Sequence, residues 1–515
     1  MGLFHDQISN ISLIISIVPL FLVVLLALIS FYRLYFHPLA HVPGPPFASI
    51  SSICIYAICY LGVEGRVLMY YHTKYHTSVL RISPDAVSVS CGEALHQIYI
   101  AGGGLPKDAR YQNFRVEGHD TIFSTLDQNY RNRRAKAVLS LFAPNRLQSA
   151  FDKDGEIASL VRRFIARIED EKTKPNPRTD ILDLSSRLSI DILTAYLFRK
   201  VYGGLAEPVQ CNSSAKEGGR TKTLHWANKL SATPFVLAIV AFGRFSLLPN
   251  WLFSAIFSTL VGRLLSDEEV KLSMQSVSRF TDSVLDADHT NLDTYQSRLR
   301  KAGVSRDETL IQCKAVMFAG ADSTAVMLAT ILFHLVRQPE VRESLRAELA
   351  QHPSSVDPQT LPYLRAVVRE GLRLGMANPV RLTRMVPLNG AGLTISGYHL
   401  PPGTKVGAAA YVFHHNPSVF PEPFAFRPER WLPGTKETHT NAQAQRIQDR
   451  DTFPFGLGSR ACLGRNLANH QLYIVVKEVV KSGVLEGART CTDKIDIIEW
   501  FNAEIKGHEL EIAWQ

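Results

Sequence analysis

The stretch Phe455-Gly456-Leu457-Gly458-Ser459-Arg460-Ala461-Cys462-Leu463-Gly464 constrains this chain more than any other. A single cysteine sits in a glycine-rich loop. After it come Leu467, Leu472, Ile474, Val475, Val476, Val479 and Val480, the apolar pattern of a helix. Cys462 therefore falls at or just before a helix N-terminus. Free N–H groups and the helix dipole favour an anionic thiolate there. The glycines let the backbone approach something flat and bulky. Arg460 offers a cation to a nearby anion.

A thiolate on such a loop, beside an arginine, suits an iron porphyrin. The sulfur is the axial ligand, the loop packs on the ring and the arginine meets a propionate. A lone buried cysteine is more often a small hydrophobe. Here the spacing F-x-x-G-x-R-x-C-x-G is complete, and it resembles the haem-binding signature of the cytochrome P450 family. The resemblance implies haem b (iron protoporphyrin IX) bound by Cys462, Arg460 and Phe455, in a mainly α fold with a small β subdomain.

With 515 residues the chain can bury a large core as one domain. Its net charge of +9 suits an acidic partner or an anionic membrane. No basic stripe interleaved with aromatics appears, so a nucleic-acid partner is not expected. The seven cysteines are scattered and form no C-x-x-C pair, which disfavours structural zinc and suits a reducing compartment.

Ile11 to Phe31 carries no charge and is long enough to span a bilayer, with Pro19 inside it. Residues 1–34 are read as a transmembrane anchor and 35–50 as a stiff hinge, from Pro38 and Val42-Pro43-Gly44-Pro45-Pro46. Residues 51–515 form the haem-binding domain. Asp6 before the span and Arg33 and His37 after it place the catalytic body on the cytosolic side. Asn10 and Asn212 open glycosylation sequons, the second facing the cytosol. Ile53–Leu61 is core or interfacial. Residues 78–90 read as a hairpin about Ser83-Pro84-Asp85. Residues 155–300 are mostly helical. The apolar interval 231–265, with Phe235, Val236, Ile239, Phe242, Trp251 and Phe257, corresponds in the family to a lid over the substrate pocket.

Ser305-Arg306-Asp307-Glu308 is a capping box. No breaker but Gly320 follows until Pro339, so a helix of about 32 residues, roughly 48 Å, is expected. Ala319-Gly320-Ala321-Asp322-Ser323-Thr324 lies in its middle. These small residues flanking an acid and two hydroxyls suit a helix that gives way to a flat cofactor and a small bound molecule. The stretch resembles the family's oxygen-binding groove. That likeness assigns the proton relay to Asp322 and Ser323, with Thr324 as the neighbouring hydroxyl.

Glu370 and Arg373 form E-x-x-R on a further helix, and Arg430 lies in Phe426-Arg427-Pro428-Glu429-Arg430-Trp431. The resemblance makes these three a structural network supporting the cysteine loop. Arg384 resembles a second propionate-contacting arginine, with Arg381 competing. Arg131, Arg133, Arg134 and Lys136 occupy the place of a family helix that meets a propionate. Between Arg133 and Arg134 the sequence does not choose. Residues 393–414 read as short strands around Pro401-Pro402-Gly403.

The resemblance implies a monooxygenase that inserts one atom of dioxygen into a lipophilic small molecule. Hydroxylation or oxidation of a terpenoid, polyketide or alkaloid intermediate, in a fungal style of sequence, is the expected reaction. Only about 50 residues follow Cys462, too few for a reductase domain. Electrons would come from NADPH through a separate flavoprotein, the NADPH–cytochrome P450 reductase, at the endoplasmic reticulum membrane. A haem-thiolate isomerase or dehydratase and a non-catalytic membrane haem protein are the competing readings. The acid–hydroxyl pair speaks against both.

Overall fold

The computed structural model describes residues 2–152, 155–207, 229–234, 236, 243–264, 268–286, 293–433 and 442–514. Cys211, Asn212, Phe235, Ile239 and Phe242 lie outside the described residues.

Gly2–Tyr35 forms one helix running through Pro19. Its last 18 residues, Val18–Tyr35, are long and apolar enough to cross a membrane, and none of them is buried. The proline-rich segment that follows is docked on the domain. Leu39 and Val42 are buried, and the Arg81 amide donates to Pro43 O at 2.7 Å. Arg81 Nη1 also reaches back to Arg33 O at 2.8 Å. The segment thus fixes where the anchor helix leaves the body.

The helical body is built about Arg306–Arg337, a helix of 32 residues. Ser305 caps it by accepting from Glu308 N at 3.2 Å. The reciprocal half of the capping box is replaced: the Glu308 carboxylate is taken by Arg134 Nη2 at 2.8 Å and by the Tyr130 hydroxyl. A long-range ion pair outcompetes a local cap because it satisfies both oxygens. Ile181–Phe198, buried along its whole length, packs against this helix. Gly320 permits the approach, since a Cβ there would lie 1.9 Å from Leu193 Cδ1. Its small size serves this helix packing.

The β subdomain begins with Val79–Ser83 antiparallel to Ala86–Val89, the expected hairpin. Ala86–Val89 pairs in parallel with Lys405–Ala408, whose other edge carries Arg384–Met385. Leu393–Ile395 and Tyr398–Leu400 form a separate hairpin. Ala410–His414, read as strand from sequence, is a short helix, because its residues pack on a buried face that a strand would split. Near the C-terminus, Ile497–Ile498 pairs with Glu504–Ile505. Ile53–Leu61 is a helix with Ile55 and Cys59 inward and Ile53 and Leu61 exposed. Trp251 and Phe257 also point outward, while Val236 and Phe253 are buried.

Candidate haem and oxygen site

Cys462 lies three residues ahead of the helix Arg465–Ser482. The loop is folded back on itself, with Cys462 N donating to Phe455 O at 2.9 Å. Gly458, at φ +67°, lies so close to the preceding segment that a Cβ would fall 1.8 Å from Tyr99 O. Phe455 is half-buried against the main core. The Cys462 side chain is exposed, yet protein surrounds it. Its sulfur therefore faces internal space. Burial pushes the thiol up, while the Gly464 and Arg465 amides and the Arg465 charge pull it down. The helix start acts as expected from the sequence but does not outweigh desolvation in the protein alone. A coordinated metal cation would reverse that balance, since a coordinating thiol is deprotonated outright.

Beside the loop, four cations come together. Arg460 Nη1 donates to Thr125 O at 3.3 Å, and Arg384 Nη1 donates to the Tyr111 hydroxyl at 3.4 Å. Lys107 lies across an isolated bridge from Arg384, with its Nζ 4.2 Å from the Tyr111 and Phe123 ring centres. Burial and the charges of Arg384, Arg460 and Arg131 push the Lys107 ammonium well below its ordinary value. Burial, with Arg131 and Arg384, brings Arg460 to about 10. None of the four is in an ion pair among the described residues. Such a cluster is costly unless anions meet it. The two carboxylates of a porphyrin fit that donor set.

The arginines of the 131–134 run differ in their partners. Arg134 is committed to Glu308, and Arg133 is exposed. Arg131 is the member whose charge acts on Lys107 and Arg460. Arg381 is taken as well, its Nε 2.7 Å from Glu64 Oε1 with both side chains buried. Arg384 alone of that pair joins the cluster. Lys107 had no sequence signal, being an isolated lysine after Gly102-Gly103-Gly104.

On the long helix, Ala319 is exposed and Ser323 half-buried amid buried neighbours, marking one open inward face. Ser323 Oγ donates to Ala319 O at 2.9 Å, the i−4 bond that turns a hydroxyl along a helix. Thr324 is buried and off that face. Asp322 is buried, and burial together with the Glu504 carboxylate brings it up to about 7. At neutral pH it holds a proton part of the time, as a proton donor needs. Aromatic rings gather beside Lys107 and Tyr111, Phe114 to Phe501 at 4.4 Å and Phe123 to Phe501 at 5.5 Å between centres.

Behind the loop, Glu370 accepts from Arg373 at 2.7 and 2.9 Å and from Arg430 at 3.0 Å. Trp431 Nε1 adds a bond at 2.9 Å and Arg427 N one at 3.0 Å. His414, absent from the sequence reading, extends this network. Its Nδ1 donates to Arg373 O at 3.1 Å, and its Nε2 accepts Phe453 N at 3.0 Å, two residues before Phe455.

A helix-rich domain with a cysteine loop, an internal cation cluster and an acid–hydroxyl pair on its longest helix has the parts of an oxygen-activating haem enzyme. The profile of the cytochrome P450 family matches residues 63–486, and the chain belongs to that family. It is 48% identical over 509 residues to the cytochrome P450 monooxygenase mfmF of Annulohypoxylon moriforme, covering 97% of this chain and 99% of that protein. Pisatin demethylase of Fusarium vanettenii is 28% identical, over 92% of this chain and 89% of its own. The cytochrome P450 monooxygenase BOT1 of Botryotinia fuckeliana is 28% identical, over 99% and 98%. The protein is a cytochrome P450 monooxygenase, a class that uses haem and dioxygen on small molecules.

Proposed function

We propose that the chain hydroxylates or otherwise oxidises a lipophilic intermediate of secondary metabolism, a terpenoid, polyketide or alkaloid. Cys462 would hold haem b through its sulfur, with Phe455 beside the bound group. Arg460, Arg384, Arg131 and Lys107 would receive its carboxylates. When bound, haem supplies dioxygen activation and the oxidising step, its thiolate ligand favouring O–O cleavage.

The polypeptide supplies the rest. Asp322 holds a proton in the interior and passes it toward Ser323, whose hydroxyl presents it on the open face. Thr324 buttresses the turn. Phe114, Phe123 and Phe501 exclude water and hold apolar substrate. Glu370, Arg373 and Arg430 keep the cysteine loop in place without touching the chemistry. The helix Gly2–Tyr35 holds the domain on the cytosolic face of the endoplasmic reticulum, where NADPH–cytochrome P450 reductase supplies electrons. The outward side chains of Ile53, Leu61 and Trp251 add apolar area for the same membrane.

The cation cluster beside Cys462, in no ion pair among the described residues, carries this reading. The test is the carbon monoxide difference spectrum of reduced, detergent-solubilised protein. A strongly red-shifted band, lost in Cys462→Ala, is expected. A histidine-type band, or no haem, would remove the assignment.

A further inference from the structure

A cavity of about 430 Å³ lies apart from the haem and oxygen site, and none of that site's residues lines it. One wall is the end of the long helix, where Thr330, His334 and Arg337 fall on one face at i, i+4 and i+7. His334 stands about three turns beyond Ser323, roughly 16 Å along the axis at the standard rise. The other walls are Phe424 and Phe426, from the segment before Arg427, and Ile495 and Ile497, at the start of the C-terminal hairpin. The volume and the apolar walls are those of a small-molecule pocket.

Each aromatic wall is fixed by a histidine. His334 stacks on Phe426 with centres 4.5 Å apart and planes 6° off parallel, and His415 stacks on Phe424 at 4.5 Å and 20°. Phe424 is nonetheless 59% exposed, which puts it at the mouth. His334 Nδ1 is buried with no hydrogen-bond partner among the described residues. A buried ring nitrogen is costly to leave unpaired, and the cavity is the space from which a partner can reach it. The rim favours no ion. Arg337 meets Asp493 at 3.5 Å, and Lys494 meets Asp496 at 3.3 Å.

We propose that this cavity is a second ligand site, taking an uncharged, flat lipophilic molecule that offers a carbonyl or hydroxyl oxygen to His334 Nδ1. Its apolar body lies between the Phe424 and Phe426 wall and the side chains of Ile495 and Ile497. Binding does not rest on the catalytic reading, but it bears on haem retention. The segment that carries the two phenylalanines also gives Pro423 O and Ala425 O to Arg373, at 2.6 and 3.2 Å. Arg427 N, at its end, donates to Glu370 at 3.0 Å. Glu370 and Arg373 are the pair behind the cysteine loop. A molecule that binds only the folded segment stabilises it, and so steadies that pair and slows the loss of haem.

The probe is acetonaphthone, an uncharged aromatic ketone, with naphthalene and naphthoate as comparators. Equilibrium dialysis against full-length holoenzyme counts bound probe per chain in wild type, Ile495→Trp and His334→Phe. Ile495→Trp fills the cavity from a half-buried position and should bind one acetonaphthone fewer per chain. His334→Phe keeps a ring stacked on Phe426 but loses the nitrogen. It should weaken acetonaphthone at this site by about 2- to 10-fold, the worth of one hydrogen bond, and leave naphthalene unchanged. Naphthoate should bind wild type more weakly than acetonaphthone does. Acetonaphthone should also slow haem transfer to apomyoglobin in wild type but not in Ile495→Trp. The same number bound in wild type and Ile495→Trp would overturn the site, because the catalytic pocket alone would then account for the binding. Tighter binding of naphthoate, or equal losses for naphthalene and acetonaphthone in His334→Phe, would overturn the ligand class. Haem transfer left unmoved by bound acetonaphthone would overturn the link to the cysteine loop. Should Ile495→Trp fail to load haem, His334→Phe carries the test, and unchanged acetonaphthone binding in it overturns the site.

Discussion

Glu370 and Arg430 stand 60 residues apart in the chain and meet at 3.0 Å in the interior, where Glu370 also holds Arg373. Burial alone would raise the Glu370 carboxyl, but the bonds and charges of Arg373 and Arg430 hold it below the usual range. Glu370→Gln leaves two guanidinium groups buried without their counter-charge. A loss of about 3–5 kcal/mol is expected. It should be read as a lower melting temperature and a smaller haem-loaded fraction.

His414 makes the same region sensitive to acid. Burial, with Arg373 and His415, lowers its imidazole to about 3. A histidine lowered in the folded state adds stability above its unfolded value near 6.5. That stability drains away as pH falls toward 3, up to about 5 kcal/mol in all. His414→Leu removes this slope but leaves Phe453 N unpaired. The variant should melt lower than wild type at pH 7, with the gap narrowing at pH 5. A constant gap would show that His414 does not titrate on unfolding.

The arginines at 131 and 134 should separate by haem retention. The Arg131 charge acts on Arg460, and Arg134 is held by Glu308. Losing a hydrogen bond to a charged group costs about 1.5–3 kcal/mol, or roughly 10- to 100-fold. Arg131→Gln should speed haem transfer to apomyoglobin by that factor. Arg134→Gln should lower the melting temperature while leaving the transfer rate near wild type.

Gly458 and Gly456 offer a graded test of the cysteine loop. Both have positive φ, at +67° and +69°. A Cβ at Gly458 would meet Tyr99 O at 1.8 Å, whereas at Gly456 the nearest atom is Leu382 Cδ1 at 3.5 Å. Gly456→Ala carries only the left-handed strain, about 1–2 kcal/mol. Gly458→Ala adds a clash with backbone that no rotamer relieves. Haem loading should fall modestly in the first and collapse in the second.

These contrasts show where sequence suffices. The cysteine loop, the Ser305 cap, the 79–89 hairpin and the Glu370–Arg373 pair are local spacings that backbone geometry alone decides. What escaped was settled by contacts across the fold. Arg131 and Arg134 lie one turn apart on one helix, and only the position of Glu308 chooses between them. The packing role of Gly320 was hidden because nothing in the sequence brings Leu193 to it. Lys107, His414 and Glu504 belong to no motif, since each acts on a partner supplied by a distant segment.

Asp322 should trade stability for activity. Burial and Glu504 raise its carboxyl from 3.8 to about 7. A raised acid binds its proton more tightly when folded, so the folded state loses stability as pH climbs from about 4 to 7. Across some three pH units this amounts to up to about 4 kcal/mol. Asparagine carries no charge at any pH and escapes that cost. Asp322→Asn should therefore melt higher than wild type at pH 8 and alongside it near pH 4.5. Its turnover should fall by about 10²- to 10⁴-fold, the contribution of a positioned proton donor. Thermal melts of both holoenzymes at the two pH values, beside NADPH-driven oxygen consumption, decide the matter. An equal melting difference at both pH values would mean that Asp322 ionises freely and cannot serve as the interior proton store.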